Sequence, residues 1–422
     1  MTTKGNAPQV DFESTHYFRP LAFKARVVQF KKGVRKMKSL ILLMVSITLF
    51  IGSPFTGWAQ GKKEPYVLGV VNNSTGAMGM FGILQNNGIE LAVDVINKAG
   101  GVDGHQIVLI IYDGETKPDI NLRMARKLIK QNKVKVFIGP NFTPGIGSIA
   151  PLVNEEKIPM GKFGGYIVDP AKDPYVFSFG VDNATVALAL VEHFRTKGIK
   201  RIAIAAVKSS YGEEFTACYR KYVAKYPDMS IVGVEWFMLE DTDITPQITK
   251  LMALKPDVIA GLAGGSGTLL AIRTAYKLGF KGPFAATHAD ANRPYAESIK
   301  DIPTGYSINP ARNTLIPVMV DAMTAGWRKT LSLKVMSEWE KKFGNLKDVE
   351  MGAVGYDFVN IIAQAFKAVG NDSEKIKKWL ESAEIRCLHG TIRMTPTDHA
   401  GGNPKEAIAM LTTENGRFVP AK

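Results

Sequence analysis

The sequence predicts an α/β protein built as two doubly wound lobes joined by a three-stranded hinge. Three observations carry that prediction. Apolar runs of strand length alternate with amphipathic helical segments from Tyr66 almost to the end of the chain, the pattern of parallel sheets covered by helices. The 422 residues, less an N-terminal stretch that does not read as fold, exceed one comfortable core and imply two domains. Phe177 to Asn183, Ile302 to Ala311 and Gly390 to Met394 read as strands that pass from one lobe to the other. The lobes so defined are residues 64–181 with 309–389, and residues 182–308 with 390–422.

The stretch that organises the chain runs from Tyr66 to Gly104. Tyr66 to Val71 is rich enough in Val and Leu for a buried strand. A small-residue loop follows, Asn72 to Met80. Ile89, Ala92, Val93 and Ile96 then give the i, i+3, i+4, i+7 spacing of one buried helix face. Gly100 and Gly101 stop that helix. This is a βαβ unit, and its loop lies at the carboxyl edge of the sheet, where open α/β sheets take their ligands.

The same stretch resembles the leucine/isoleucine/valine-binding type of extracytoplasmic solute-binding proteins, the receptors of ABC importers. Ser74-Thr75-Gly76 matches the family's strand exit, and Phe81-Gly82 its aromatic–Gly pair. Gly88 to Gly104 follows the string G-x-E-L-A-x-D-x-I-N-x-A-G-G-V-x-G nearly position for position. The resemblance covers Glu64 to Lys422. It implies the type I periplasmic binding protein fold and a cleft between two lobes that takes a small molecule. It also implies a membrane permease as partner, and neither a cofactor nor catalysis.

Residues 1–59 do not read as fold. Thr2 to Lys36 is basic with little apolar periodicity, and Met37 is a possible true start. Lys38, the apolar run Leu40 to Ile51 and the small residues leading to Ala59 form a signal-peptide pattern. The apolar run is shorter than the ~20 residues a spanning helix needs. Cleavage after Ala59 and a periplasmic location are expected; a retained membrane anchor is the alternative. Removing this segment takes away nine Lys/Arg and two Asp/Glu, and lowers the formal charge from +14 to +7. No zinc spacing, Walker loop or Arg–aromatic stripe accompanies that charge, so no nucleic-acid partner is expected. Cys218 and Cys387 read as two free, partly buried thiols, although export would allow them to pair.

In the first lobe, Ile107 to Tyr112 reads as a strand closed by Asp113-Gly114, and Asn121 to Gln131 as a helix with Ala125, Leu128 and Ile129 inward. Val134 to Ile138 is the next strand. It ends in Gly139 to Pro151, a Gly/Pro/Thr loop that enters a helix. Helix starts leave free N–H groups and partial positive charge, which suit a carboxylate. From the residues alone Thr143 reads as an ordinary N-cap; the resemblance implies instead a hydroxyl that holds the ligand's carboxylate. Ile158 to Gly165 is a short strand and turn. By resemblance Gly164, Gly165 and Tyr166 offer groups to the ligand's α-carbon substituents, with Tyr166 departing from the expected Thr or Ser. Lys162 reads as a solvated lysine.

The second lobe repeats the alternation. Helices are read at Asp182 to Lys197, Thr245 to Leu254 and Thr268 to Leu278. Strands are read at Arg201 to Val207, Ile231 to Phe237, Val258 to Leu262 and Pro283 to His288. Tyr211-Gly212-Glu213, which opens the helix holding Cys218, matches a family feature and implies that Tyr211 reaches the cleft. Two positions depart from the amino-acid receptors. Gly264 stands where they carry an aromatic. His288 stands where they carry a Glu that pairs with the ligand's ammonium, and a His suits a cation poorly. Asp290, two residues on, is the candidate to restore that negative charge. The glycines of Ala263 to Gly267 do not complete a dinucleotide fingerprint, because Leu270 replaces the third.

Asn313 to Trp339 reads as irregular, and Met351 to Val369 as a long helix with Tyr356 at the cleft edge. Ser373 to Ser382 is a short helix. Ala407 to Thr412 and Arg417 to Pro420 flank Asn415-Gly416, a strong hairpin signal. No Ser nucleophile elbow, His–Glu metal pair or phosphate loop is present, so an enzyme is not expected. The reading is a receptor that captures a small carboxylate-bearing ligand, an amino acid or a related organic or aromatic acid, for an ABC importer. The rival is a ligand-sensing module that works with a separate membrane signalling partner.

Overall fold

The computed structural model describes residues 63–180, 182–312, 315, 319–320, 323, 325–401 and 408–421, Arg312 by its backbone alone. The signal-peptide segment lies outside the described residues. Among them, no helix is long and apolar enough to cross a membrane.

The first sheet is parallel, in the order β2-β1-β3-β4-β5. Its strands are β1 (Tyr66–Asn72), β2 (Ile107–Asp113), β3 (Phe137–Ile138), β4 (Met160–Lys162) and β5 (Val176–Ser178). Alternation along β1 sends Leu68 and Val70 to one face and Val71 to the other. Helices α2 (Pro118–Lys130) and α3 (Thr143–Glu156) cover the Val71 face through Ala125, Leu128, Ile146 and Ile149. Helix α1 (Gly79–Lys98) covers the other.

The second sheet has the order β14-β13-β10-β9-β8-β6-β7. Strands β6 (Arg201–Val207), β7 (Ser230–Phe237), β8 (Val258–Leu262), β9 (Phe284–Ala285) and β10 (Ser307–Arg312) run parallel. Around them lie α4 (Asn183–Thr196), α5 (Ser210–Val223), α6 (Thr245–Ala253), α7 (Ser266–Lys277) and α8 (Arg293–Ser298). Asp182 caps α4, its side chain accepting from the Thr185 N–H at 2.8 Å.

After β10 the chain returns to the first lobe. There it forms α9 (Trp327–Phe343), α10 (Val349–Val369), α11 (Ser373–Leu380), β11 (Glu384–Cys387) and β12 (Gly390–Arg393). Leu315, Trp339, Val354, Phe358 and Ile392 share one core with Leu68 and Ile89. Strands β13 (Ile408–Glu414) and β14 (Arg417–Pro420) close the second sheet. Their register pairs Glu414 with Arg417, so the loop is Asn415-Gly416, both at positive φ, as a two-residue hairpin requires.

Three sequence expectations change here. Ile302 to Ala311 does not cross between lobes: β10 stays in the second sheet through Arg312, parallel to β9 and antiparallel to β13. Gly390 to Met394 is not a crossover either. It pairs with β11 as a hairpin, and Ile385, Leu388 and Ile392 bury its apolar face in the first lobe. Asp357 fixes that turn by accepting from the N–H groups of Leu388 (2.8 Å) and His389 (3.1 Å) and meeting the His389 ring at 2.5 Å. His399 still lies on β5, its carbonyl accepting from the Ser178 N–H at 2.9 Å. The chain is therefore still in the first lobe at His399 and in the second sheet from Ile408. Finally, α9 occupies part of the stretch read as irregular. Its lysines dilute the periodicity, and only Ser332, Val335 and Trp339 mark its buried stripe.

One packing detail decides where the site sits. Helices α1 and α10 cross at glycines, with no side chain between the backbones. A methyl group on Gly88 would lie 1.7 Å from the Gly352 carbonyl oxygen, and one on Gly355 would meet the Gln85 carbonyl. This contact brings the first turns of both helices to the same end of the first lobe.

Candidate ligand-binding site

A cavity of about 260 Å³ opens at the carboxyl ends of both sheets, near the lower limit of small-molecule sites, roughly 300–1,000 Å³. The first lobe contributes Phe81 and Gln85 of α1, Thr143 at the start of α3, and Gly164 and Gly165 after β4. The second lobe contributes Tyr211, Gly264 and His288. The structure thus brings seven of the nine sequence-derived candidates onto one surface.

Thr143 is buried and is the first residue of α3; Phe142, in extended conformation, occupies the N-cap. Thr143 is therefore not the N-cap that the sequence suggested, and the N-cap residue Phe142 makes no side-chain cap bond. Asn141, just before it, is held by the Asn73 amide at 2.8 Å. Asn73 is in turn tied to the Thr116 N–H and to Asn121. Buried amides therefore fix the loop that presents α3 to the cavity. Gly165 packs so closely on Asn183 that any side chain there would overlap it.

Phe81 and the bare Gly264–Gly265 turn face each other across the lobes. A methyl on Gly265 would come 3.5 Å from the Phe81 ring. Both glycines hold positive φ, 74° and 59°, a conformation that β-carbons disfavour. On the second lobe Tyr211 lies edge-on to Phe215, ring centroids 5.7 Å apart, and His288 is buried beside the same ring at 6.4 Å.

Two candidates do not line the cavity. The Tyr166 hydroxyl donates to Asp173 at 2.8 Å, and burial together with that carboxylate pushes its pKa up. Asp290 is fully buried, where it accepts from the Thr287 N–H (3.0 Å), the Thr287 hydroxyl (2.8 Å) and the Gly265 N–H (2.7 Å). Burial pushes its carboxyl up to about 6. Its lone pairs hold the Gly264–Gly265 turn in place, so it does not supply the charge that His288 lacks. Tyr356 points into the first-lobe core rather than to the cleft edge. Lys162 is buried, not solvated, and donates to the Gly164 carbonyl at 2.9 Å. Both cysteines are buried and free.

Sequence reasoning missed Gln85 and the start of α10. Gln85 accepts from the Asn72 amide at 3.2 Å and lines the cavity. Glu350, Met351 and Val354 line it from α10. The Glu350 carboxylate accepts from the Arg293 N–H of the second lobe at 3.3 Å, and burial pushes it up to about 7. The signal was present as Gly352 and Gly355 on the apolar helix, a close-packing pattern that places the preceding turn.

Fold and site together define a two-lobed binding protein. The chain belongs to the periplasmic binding protein family, whose model matches residues 65–416. It is 23% identical over 212 residues to a Leu/Ile/Val-binding protein homolog of Brucella melitensis (48% of this chain, 55% of the relative). It is 26% identical over 227 residues to a leucine-, isoleucine-, valine-, threonine- and alanine-binding protein of Pseudomonas aeruginosa (52% of this chain, 58% of the relative). The chain thus spans somewhat over half the length of these relatives. Among solved structures it is similar to the substrate binding protein LivJ of Streptococcus pneumoniae in complex with isoleucine (TM-score 0.71, 20% identity, 84% of this chain and 98% of that one). It is equally similar to an ABC transporter solute binding protein of R. palustris in complex with 4-hydroxybenzoate (TM-score 0.71, 20% identity, 85% and 95%). The fold is the type I periplasmic binding protein fold.

Proposed function

We propose that this chain is an extracytoplasmic receptor that captures a small carboxylate-bearing ligand between its lobes and delivers it to the membrane permease of an ABC importer. One observation carries the reading: Thr143 and the start of α3 line a cavity shared by both lobes. The helix start offers N–H donors and partial positive charge to a carboxylate, an effect of about 0.3–1 kcal/mol and up to ~2 when partly buried. Phe81, Gln85, Gly164 and Gly165 complete the first-lobe wall, and Tyr211, Gly264 and His288 form the opposite one. A ligand that touches both walls favours the closed arrangement, because only differential contact shifts a two-state equilibrium. Export by the signal peptide, with cleavage after Ala59, places the receptor in the periplasm. Amino-acid and aromatic-acid cargoes of the similar proteins support a carboxylate as the shared feature.

The test is a thermal-shift screen of the chain from Gln60 onward, refolded to strip carried-over ligand. The panel holds aliphatic and aromatic amino acids, the matched acids lacking the amino group, and amides. A ligand at a thousand times its Kd stabilises the native state by about 4 kcal/mol, a readily measured shift. Stabilisation by amides but by no carboxylate would refute the reading.

A further inference from the structure

We propose that Glu350 is the specificity-determining residue of this cleft and accepts a cationic nitrogen that the ligand carries beside its carboxylate. The proposal rests on the cleft reading above and adds the residue that selects the ligand's second functional group.

Position comes first. Glu350 is the second residue of α10 and lines the cavity from the first lobe. The glycine contact between α1 and α10 sets its depth, and the Arg293 N–H, reaching from the second lobe at 3.3 Å, steadies its carboxylate. A ligand held there touches both lobes at once.

The charge inventory of the cavity comes second. Among the described residues, two carboxylates line it, Glu240 and Glu350; Glu240 is exposed and Glu350 is half-buried. A carboxylate only accepts hydrogen bonds, so it suits a cation. The nearby protein cations have other carboxylate partners, although the Arg293 charge also favours the ionised Glu350. The Lys208 ammonium pairs with Glu213 at 2.6 Å. The Arg293 guanidinium pairs with Glu297, and at 3.7 Å with Asp348. Asp348 adds a like charge beside Glu350, and desolvation dominates the upward shift of its carboxyl. A half-buried carboxylate whose desolvation the Arg293 charge offsets only in part is matched to a cation that arrives with the ligand.

Glu240, the other carboxylate of the lining, is exposed, where solvent screens its charge. Asp290 is consumed by Thr287 and Gly265. His288, in the position where related receptors place an acid, is no substitute for a carboxylate. The carboxylate end of the ligand meets Thr143 and the α3 start, and the cationic end meets Glu350.

The experiment compares matched pairs, leucine against 4-methylpentanoate and phenylalanine against 3-phenylpropanoate, by calorimetry on the wild type and on Glu350→Gln. Glutamine keeps the shape and an acceptor for the Arg293 N–H, and melting without ligand checks that the variant is folded. The expected result is that the wild type prefers the amino acid of at least one pair. Glu350→Gln then weakens that amino acid about tenfold to a hundredfold, the range for a hydrogen bond to a charged group, and changes its des-amino partner by less than threefold. Wild-type preference for the des-amino acids, or an equal loss for both partners, overturns the role of Glu350 and leaves the cleft reading standing. Binding of neither class overturns both.

Discussion

Replacing Gly88 by alanine tests the geometry on which the site depends. The added methyl would lie 1.7 Å from the Gly352 carbonyl oxygen, whereas ordinary carbon–oxygen contacts are about 3.3–3.6 Å. The obstacle is backbone, so no rotamer change relieves it. Helices α1 and α10 must part by about 1.5 Å or the carbonyl must tilt. Overpacking of this kind costs about 1–3 kcal/mol, occasionally more. Alanine's better helix propensity returns only about 0.5–1 kcal/mol. The expected net effect is a loss of about 1–2 kcal/mol, read as a lower urea midpoint with unchanged slope. Gly147→Ala is the internal comparison. Gly147 lies exposed on α3, and its nearest neighbour to an added methyl is the Tyr166 ring at 3.8 Å. The same substitution there should stabilise by about 0.4–1 kcal/mol. Because Glu350, Met351 and Val354 ride on α10, Gly88→Ala should also weaken ligand binding, while Gly147→Ala leaves it unchanged. A wild-type midpoint and affinity for Gly88→Ala would refute the packing argument.

Three further outcomes follow from individual residues. Thr143→Ala should weaken a carboxylate ligand about tenfold or more without moving the ligand-free melting temperature; unchanged calorimetric affinity counts against its place in the cleft. Burial pushes the Asp290 carboxyl from its ordinary value near 3.8 up to about 6, so its favourable contribution is complete below the lower value and is lost as pH rises through the upper one. Between pH 4.5 and 7 this costs the wild type about 2 kcal/mol; Asp290→Asn should remove that slope from urea midpoints, and an unchanged slope would assign it to other groups. Cys218 is buried and pushed up to about 12, and Cys387 is buried and also raised. A thiol reagent should therefore label neither in the native chain and two per chain after denaturation.

Much of the fold was legible because its elements obey local rules. Leu68, Val70 and Val71 alternate as a buried strand must, and Asp182 and Asn415-Gly416 carry cap and turn chemistry that needs no tertiary context. The crossovers were less legible. A strand that changes lobe and a strand that completes a sheet carry the same apolar residues, so Ser307–Arg312 and Gly390–Arg393 could be placed only by their partners. Trp327–Phe343 was hidden because its buried stripe is narrow. In the site, the candidates drawn from loops at strand ends share one cavity, since topology alone sends such loops there. Asp290 was misplaced because proximity in sequence does not tell whether a carboxylate faces a ligand or its own backbone. Glu350 was missed because its address depends on a glycine contact between helices far apart in sequence.

The contacts between lobes bear on how the receptor works. On the cleft side the lobes meet where Phe81 approaches Gly265, where Arg293 reaches Asp348 and Glu350, where Gly165 packs on Asn183 and where the Thr143–Glu156 helix packs on the Ser210–Val223 helix. The Arg293–Asp348 pair is partly solvated, its side chains 38% and 21% exposed, and pairs of that kind contribute at most about 1 kcal/mol. A ligand that adds a carboxylate contact at Thr143 on one wall and any contact on the other supplies the missing differential affinity. Moving such an equilibrium from 1:99 to 99:1 takes about 5.5 kcal/mol, which is within reach of two charge-assisted hydrogen bonds at ~1.5–3 kcal/mol each with some apolar burial. A carboxylate contact alone does not reach that figure. The second functional group of the ligand therefore decides whether the lobes stay shut.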